Sequence, residues 1–255
     1  MKTDTTNPQD KTAHEAAEQG PVQSSRRRLI GGTAGGVGVL MAVSAKTALG
    51  TTVCQSPSAM ISGNTSPNRD TPPPCSGGKS PGFWRNPQHF SAWAPPAVPA
   101  TLKNVTSCPT GLGGIGPENI ENQGTLISTV FGSAGTSKLT SYSYQDANNV
   151  TQTISANDWG LWAVLAFPKD AGTNEGSLLW HLCAAYLNSL AFEDYALTTQ
   201  QVIDAGIVLL NGGLWCPSGM EDCGVKAMSA SSFVAYISGM YDYNADIALQ
   251  LCKKN

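Results

Sequence analysis

The chain of 255 residues holds only three histidines, and beyond residue 50 just His89 and His181 remain. Nucleophilic catalysis needs a base within hydrogen-bond reach of the nucleophile. No H-E-x-x-H run occurs, so the ready-made zinc-protease signature is excluded. A Ser/His/Asp site would have to be assembled from distant positions. Long apolar runs are missing too. The stretch nearest to a membrane span, Leu29 to Ala45, is seventeen residues with five glycines, short and poorly apolar for crossing a bilayer. Cationic stripes are also lacking. From Thr51 onward nine Lys/Arg stand against fourteen Asp/Glu, a net charge of −5, which argues against nucleic acid as a partner. No internal repeat is visible.

What the N-terminus does contain is "SSRRRLIGGTAGGVGVLMAVSAKTALG". Arg26, Arg27 and Arg28 precede the weakly apolar run, and Lys46 follows it. This is the layout of an export signal of the twin-arginine (Tat) type, with Arg26 and Arg27 as the recognition pair and the Tat export machinery as the first expected partner. Cleavage after Ala45 and cleavage after Gly50 both fit. The expected location is secreted, periplasmic or cell-surface. Seven cysteines, at positions 54, 75, 108, 183, 216, 223 and 252, suit an oxidising compartment, and an odd count leaves at least one thiol free or bonded between chains. Tat substrates cross the membrane folded while cytoplasmic thiols stay reduced. Either the bridges form after export on a preformed fold, or some of these cysteines are core residues.

The expected organisation is a signal region over 1–50, a Pro/Ser/Gly-rich linker over 51–80 with a Cys54–Cys75 clip, and one mostly α domain over 81–255 with long irregular loops. Residues 94–124 read as loop. Thr125 to Phe131 is ambiguous between helix and strand, and "TSYSYQDANNVTQTI" permits a hairpin. Ser155-x-x-Asp158 marks a helix start, and Trp159 to Phe167 is apolar on all sides until Pro168, as in a buried helix. Leu179, Leu182, Cys183, Tyr186, Leu187 and Leu190 share one face of an amphipathic helix, with His181 on the opposite face. Thr198-x-x-Gln201 caps a helix carrying Ile203, Ile207 and Leu210. Phe233, Tyr236, Ile237 and Met240 repeat the period, and Ala245 to Leu251 forms a last short helix.

The segment richest in chemistry is "SPGFWRNPQHFSAW", Ser80 to Trp93, with four aromatics, Arg85 and His89. Trp84 and Trp93 either anchor an irregular segment onto the helices or form a stacking platform for sugar or peptide. Each can bury ~150–250 Å², which favours anchoring. Arg85 suits an aromatic face or a carboxylate. As a ligand-binding set the candidates are Trp84, Arg85, His89 and Trp93. Cys216 and Cys223 flank a Pro/Gly turn and read as a local disulfide rather than a soft-metal site with Asp222. Cys183 is expected buried and free.

Three stretches in order resemble a group of secreted bacterial proteins with a GYWKNHPxxW motif. They are Ser80 to Trp93, then Val130-Phe131-Gly132, then "LLWHLCAAYLNSLAF" followed by "LTTQQVIDAG", together covering roughly residues 81 to 206. The tryptophans are nine residues apart here against seven in that motif, and Pro87 stands where it has histidine. The resemblance implies an extracellular or surface-associated domain without an established activity. The expected function is therefore that of an exported non-catalytic structural, adhesive or surface-associated protein, with no cofactor and with cell-surface or matrix components as partners. Two alternatives remain: a secreted hydrolase using His89 with a loop carboxylate, and a metal or cofactor carrier exported folded.

Overall fold

The computed structural model describes residues 76–103, 111–217 and 227–242, together with Ser56, Pro57 and Cys223. The signal region with Arg26 and Arg27, Cys54, Cys75, Cys108 and Cys252, and the helix expected over 245–251 lie outside the described residues.

Six α-helices are described: α1 (Pro81–Trp84), α2 (Ile127–Thr136), α3 (Leu161–Ala166), α4 (Leu178–Ala191), α5 (Thr199–Leu210) and α6 (Ala230–Met240). Two 3-10 turns, Pro87–Ala92 and Pro117–Asn119, lie between α1 and α2. Two antiparallel pairs complete the described structure. β1 (Thr101–Leu102) pairs with β2 (Ile120–Asn122), and β3 (Tyr142–Gln145) pairs with β4 (Thr151–Ile154).

The expectation of a mostly α fold is corrected by these sheets. Helix accounts for 44% and strand for 12% of the described residues, so the class is mixed α/β. The reason is local. β1 and β2 are two and three residues long, too short to write a period of two into the sequence. They sit inside the stretch 94–124 that reads as loop. The β3–β4 hairpin does follow the alternation in "TSYSYQDANNVTQTI", and its turn places Asn149 at φ 59°, a left-handed conformation that Asn tolerates better than most residues.

α4 is the hub, packed against α1, α3, α5 and α6. Ser177 caps it by accepting from the Trp180 N–H. Its expected one-sided amphipathicity is corrected: every residue from Leu179 to Asn188 except Trp180 is buried, His181 included. A helix surrounded by four neighbours buries all its faces. α3 is buried at every position and begins at Leu161 rather than beside Ser155. Ser155 and Asp158 instead hydrogen-bond each other in the turn ahead of it.

α5 has the expected capping box, with Thr198 Oγ1 accepting from the Gln201 N–H and the Gln201 side chain from the Thr198 N–H. Its buried face keeps Leu210 of the expected set and leaves Ile203 half-buried, but most of it is formed by other residues. Val202, Ala205, Gly206, Leu209 and Leu210 point inward while Ile207 is 41% exposed. Close approach to α2 selects the small residues. A Cβ on Gly206 would stand 2.7 Å from the Phe131 ring, inside any real carbon–carbon contact. α2, the segment ambiguous at the sequence level, is helical with a break at Gly132 (φ 57°, ψ −148°). α6 buries Phe233, Tyr236, Ile237 and Met240 as its period requires.

Candidate functional site

The segment Ser80 to Trp93 is held from within by one side chain. Asn188, fully buried on α4, accepts from the Trp84 Nε1–H at 2.9 Å and from the Lys79 N–H at 2.7 Å, both on Oδ1. Its Nδ2 donates to the Lys79 carbonyl at 2.9 Å. Indole and backbone N–H are donors only, so the atom facing both must be the amide oxygen. Tyr195 lies beside this amide with its hydroxyl buried, and burial pushes its phenol pKa up.

The approach to that amide needs Gly77 and Gly78. The chain from Ser76 to Lys79, expected as the end of the linker, runs buried between α4 and the end of α6. The Ser76 N–H donates to the Asp194 carbonyl, and the Gly78 carbonyl accepts from the Asp242 N–H, each at 2.9 Å. A Cβ on Gly77 would overlap the Met240 carbonyl oxygen, and one on Gly78, at φ 68°, would overlap the Asn188 amide. A polar residue amid the apolar run of α4 and the Gly-Gly pair before Lys79 were the sequence signals for this clasp.

Beyond the clasp the motif packs on itself. Trp84 is 0% exposed. The Trp162 Nε1–H donates to the Arg85 carbonyl at 2.9 Å. Phe83 meets Trp84 edge-on, with centroids 5.1 Å apart, and stacks on His89 at 3.8 Å. His89 Nδ1 lies 2.6 Å from the Phe83 carbonyl oxygen, which can only accept, so that nitrogen carries the proton. Phe90 stands edge-on to both Trp93 and Trp162. Trp93 is packed away with its Nε1–H buried and without an acceptor. The Arg85 guanidinium pairs with Glu175 at 2.9 Å.

The structure thus brings Trp84, Arg85, His89 and Trp93 into one neighbourhood. An open groove of about 560 Å³ lies elsewhere, floored by Leu178, Leu179, Leu209 and Leu210 with Lys138 and Asn174 at its rim. His181, expected on the outer face of its helix, is 8% exposed and meets the Tyr241 hydroxyl at 2.8 Å through Nδ1. Burial lowers its pKa. Cys216 and Cys223 stand at disulfide distance with Cα atoms 5.8 Å apart. Cys183 is free and buried, and burial pushes its thiol pKa up.

Among the described residues no group of three or more His, Cys, Asp or Glu is placed to hold a metal ion, and no helix is long and apolar enough to cross a membrane. Comparison with family models, with curated proteins and with solved structures yields no match.

Proposed function

We propose that the chain is an exported, non-catalytic structural or surface-associated protein in which the Ser80–Trp93 segment is a folding clasp rather than a ligand platform. The observation that carries this reading is the triple hydrogen bonding of Asn188 to Trp84 and Lys79. A stacking platform must present an aromatic face to its ligand, and Trp84 presents none. The Nδ1 of His89 is engaged by a backbone carbonyl, so a proton shuttle through that nitrogen would first have to break a short contact. Export rests on the twin-arginine layout at Arg26 and Arg27 and on the resemblance of the motif to secreted proteins. Fractionation of cells making the chain with Arg26→Lys and Arg27→Lys tests it. Unprocessed precursor is expected in the cytoplasm, and normal export of the double variant would contradict the reading.

A further inference from the structure

We propose that the outer edge of β4 is a self-association surface, pairing antiparallel with β4 of a second copy of this chain about a two-fold axis at Gln152. The proposal goes beyond the clasp and stands on the hairpin alone. The Asp146 N–H donates to the Val150 carbonyl at 3.0 Å, which makes that pair a hydrogen-bonded one. Hydrogen-bonded and open pairs alternate along an antiparallel ladder. In the register Gln145↔Thr151, Tyr144↔Gln152, Ser143↔Thr153, Tyr142↔Ile154, the N–H and C=O of Thr151 and Thr153 therefore turn away from β3. Among the described residues the sheet ends there, and Thr151, Gln152 and Thr153 are exposed.

Monomeric proteins guard such an edge with charge, proline or a bulge. This one has none of the three. The register runs without a shift, no proline lies between Thr140 and Asn157, and the only charged residue there is Asp146. Its carboxylate is engaged within the hairpin, accepting from the Asn148 and Val150 N–H groups and from Gln152 Nε2.

The side chains suit a second copy in this register. Pairing about Gln152 sets Thr151 opposite Thr153 of the second copy, and the outward backbone groups of both then close a hydrogen-bonded pair on each side of the axis. The same register sets Val150 opposite Ile154 of the second copy. Val150 is 52% exposed, one of five large apolar side chains left in solvent among the described residues. Ile154 is half-buried on the face that also carries Tyr142 and Tyr144. A lone two-stranded hairpin is marginal in water. The dimer makes it a four-stranded sheet in which Tyr142 and Ile154 of one copy line up with Val150 of the other, a short apolar row on each side of the central Gln152 pair. Edge pairing alone buries little area, so the association is weak and concentration-dependent.

Sedimentation velocity of the full chain over a concentration series is the test. A monomer–dimer equilibrium is expected, with Thr153→Pro and Val150→Lys monomeric at every concentration. Proline at 153 removes an outward N–H while leaving the bonds inside the hairpin, and Val150 is solvent-exposed in the monomer, so both variants should keep the wild-type melting midpoint. Gln152→Cys, on the axis, should give a disulfide-linked dimer under oxidant. A wild type monomeric throughout, a dimer surviving in both variants, or no cross-link through residue 152 would overturn the proposal.

Discussion

Across a separation of 104 positions, the Trp84 indole donates to the Asn188 side-chain oxygen at 2.9 Å with both residues excluded from solvent. The bond joins the motif to α4, the helix packed against four others. A buried donor or acceptor left unsatisfied costs about 1–3 kcal/mol, and Asn188 satisfies three such groups at once. Asn188→Ala is therefore expected to destabilise by about 3 kcal/mol or more in denaturant unfolding. Trp84→Phe, which keeps an aromatic ring in place but loses the donor and part of the indole, is expected to cost less. The two changes share one hydrogen bond, so in a double-mutant cycle their effects should fall short of the sum.

The glycines give a paired prediction. Gly77→Ala forces a Cβ onto the Met240 carbonyl, whereas a Cβ on the exposed Gly82 in α1 meets nothing closer than Ser80 Oγ at 3.7 Å. Gly82→Ala should be neutral or stabilising by up to about 1 kcal/mol, since glycine inside a helix carries that entropic cost. Gly77→Ala should lower the melting midpoint. Equal midpoints for the two variants would contradict the tight passage between α4 and α6.

His181 sets a pH dependence. Burial holds its pKa below the ordinary 6.5, so the unfolded chain binds a proton that the folded chain refuses. The stability tied to the neutral imidazole is complete above about pH 6.5 and is lost as pH falls toward the lower folded value. Thermal melts of wild type and His181→Phe between neutral and mildly acid pH should diverge in slope, with the variant flatter. Parallel curves would mean that His181 is not buried as a neutral group.

Thiol chemistry follows from burial as well. Cys183 is fully enclosed and its thiolate is disfavoured, so alkylation of the native protein should leave it unlabelled until denaturant is added. Non-reducing peptide mapping should recover Cys216 linked to Cys223. Rapid native labelling of Cys183 would contradict the packing around α4.

Legibility tracked the physics of each element. α3, α4 and α6 bury runs or stripes of large apolar side chains, and hydropathy reports those directly. α5 was half legible. Its cap is local chemistry, written as Thr198-x-x-Gln201, but its inward face is chosen by size at Gly206 against Phe131, and hydropathy points to Ile203 and Ile207 instead. His181 looked exposed because a helical wheel knows only its own helix. Tyr241, sixty positions on, covers it. The Ser80–Trp93 segment was conspicuous from its aromatics, yet its partner Asn188 and the Gly-Gly passage join residues more than a hundred apart. No local pattern encodes that pairing.

The most direct test of the clasp is the unfolding free energy of Trp84→Ala measured beside wild type. Trp84 is wholly buried and hydrogen-bonded at its indole nitrogen, so its truncation is expected to cost ~3–5 kcal/mol, much of the stability of a small domain. A loss within about ±0.5 kcal/mol, the range of an ordinary surface substitution, would contradict the account and return Trp84 to the role of an exposed binding platform.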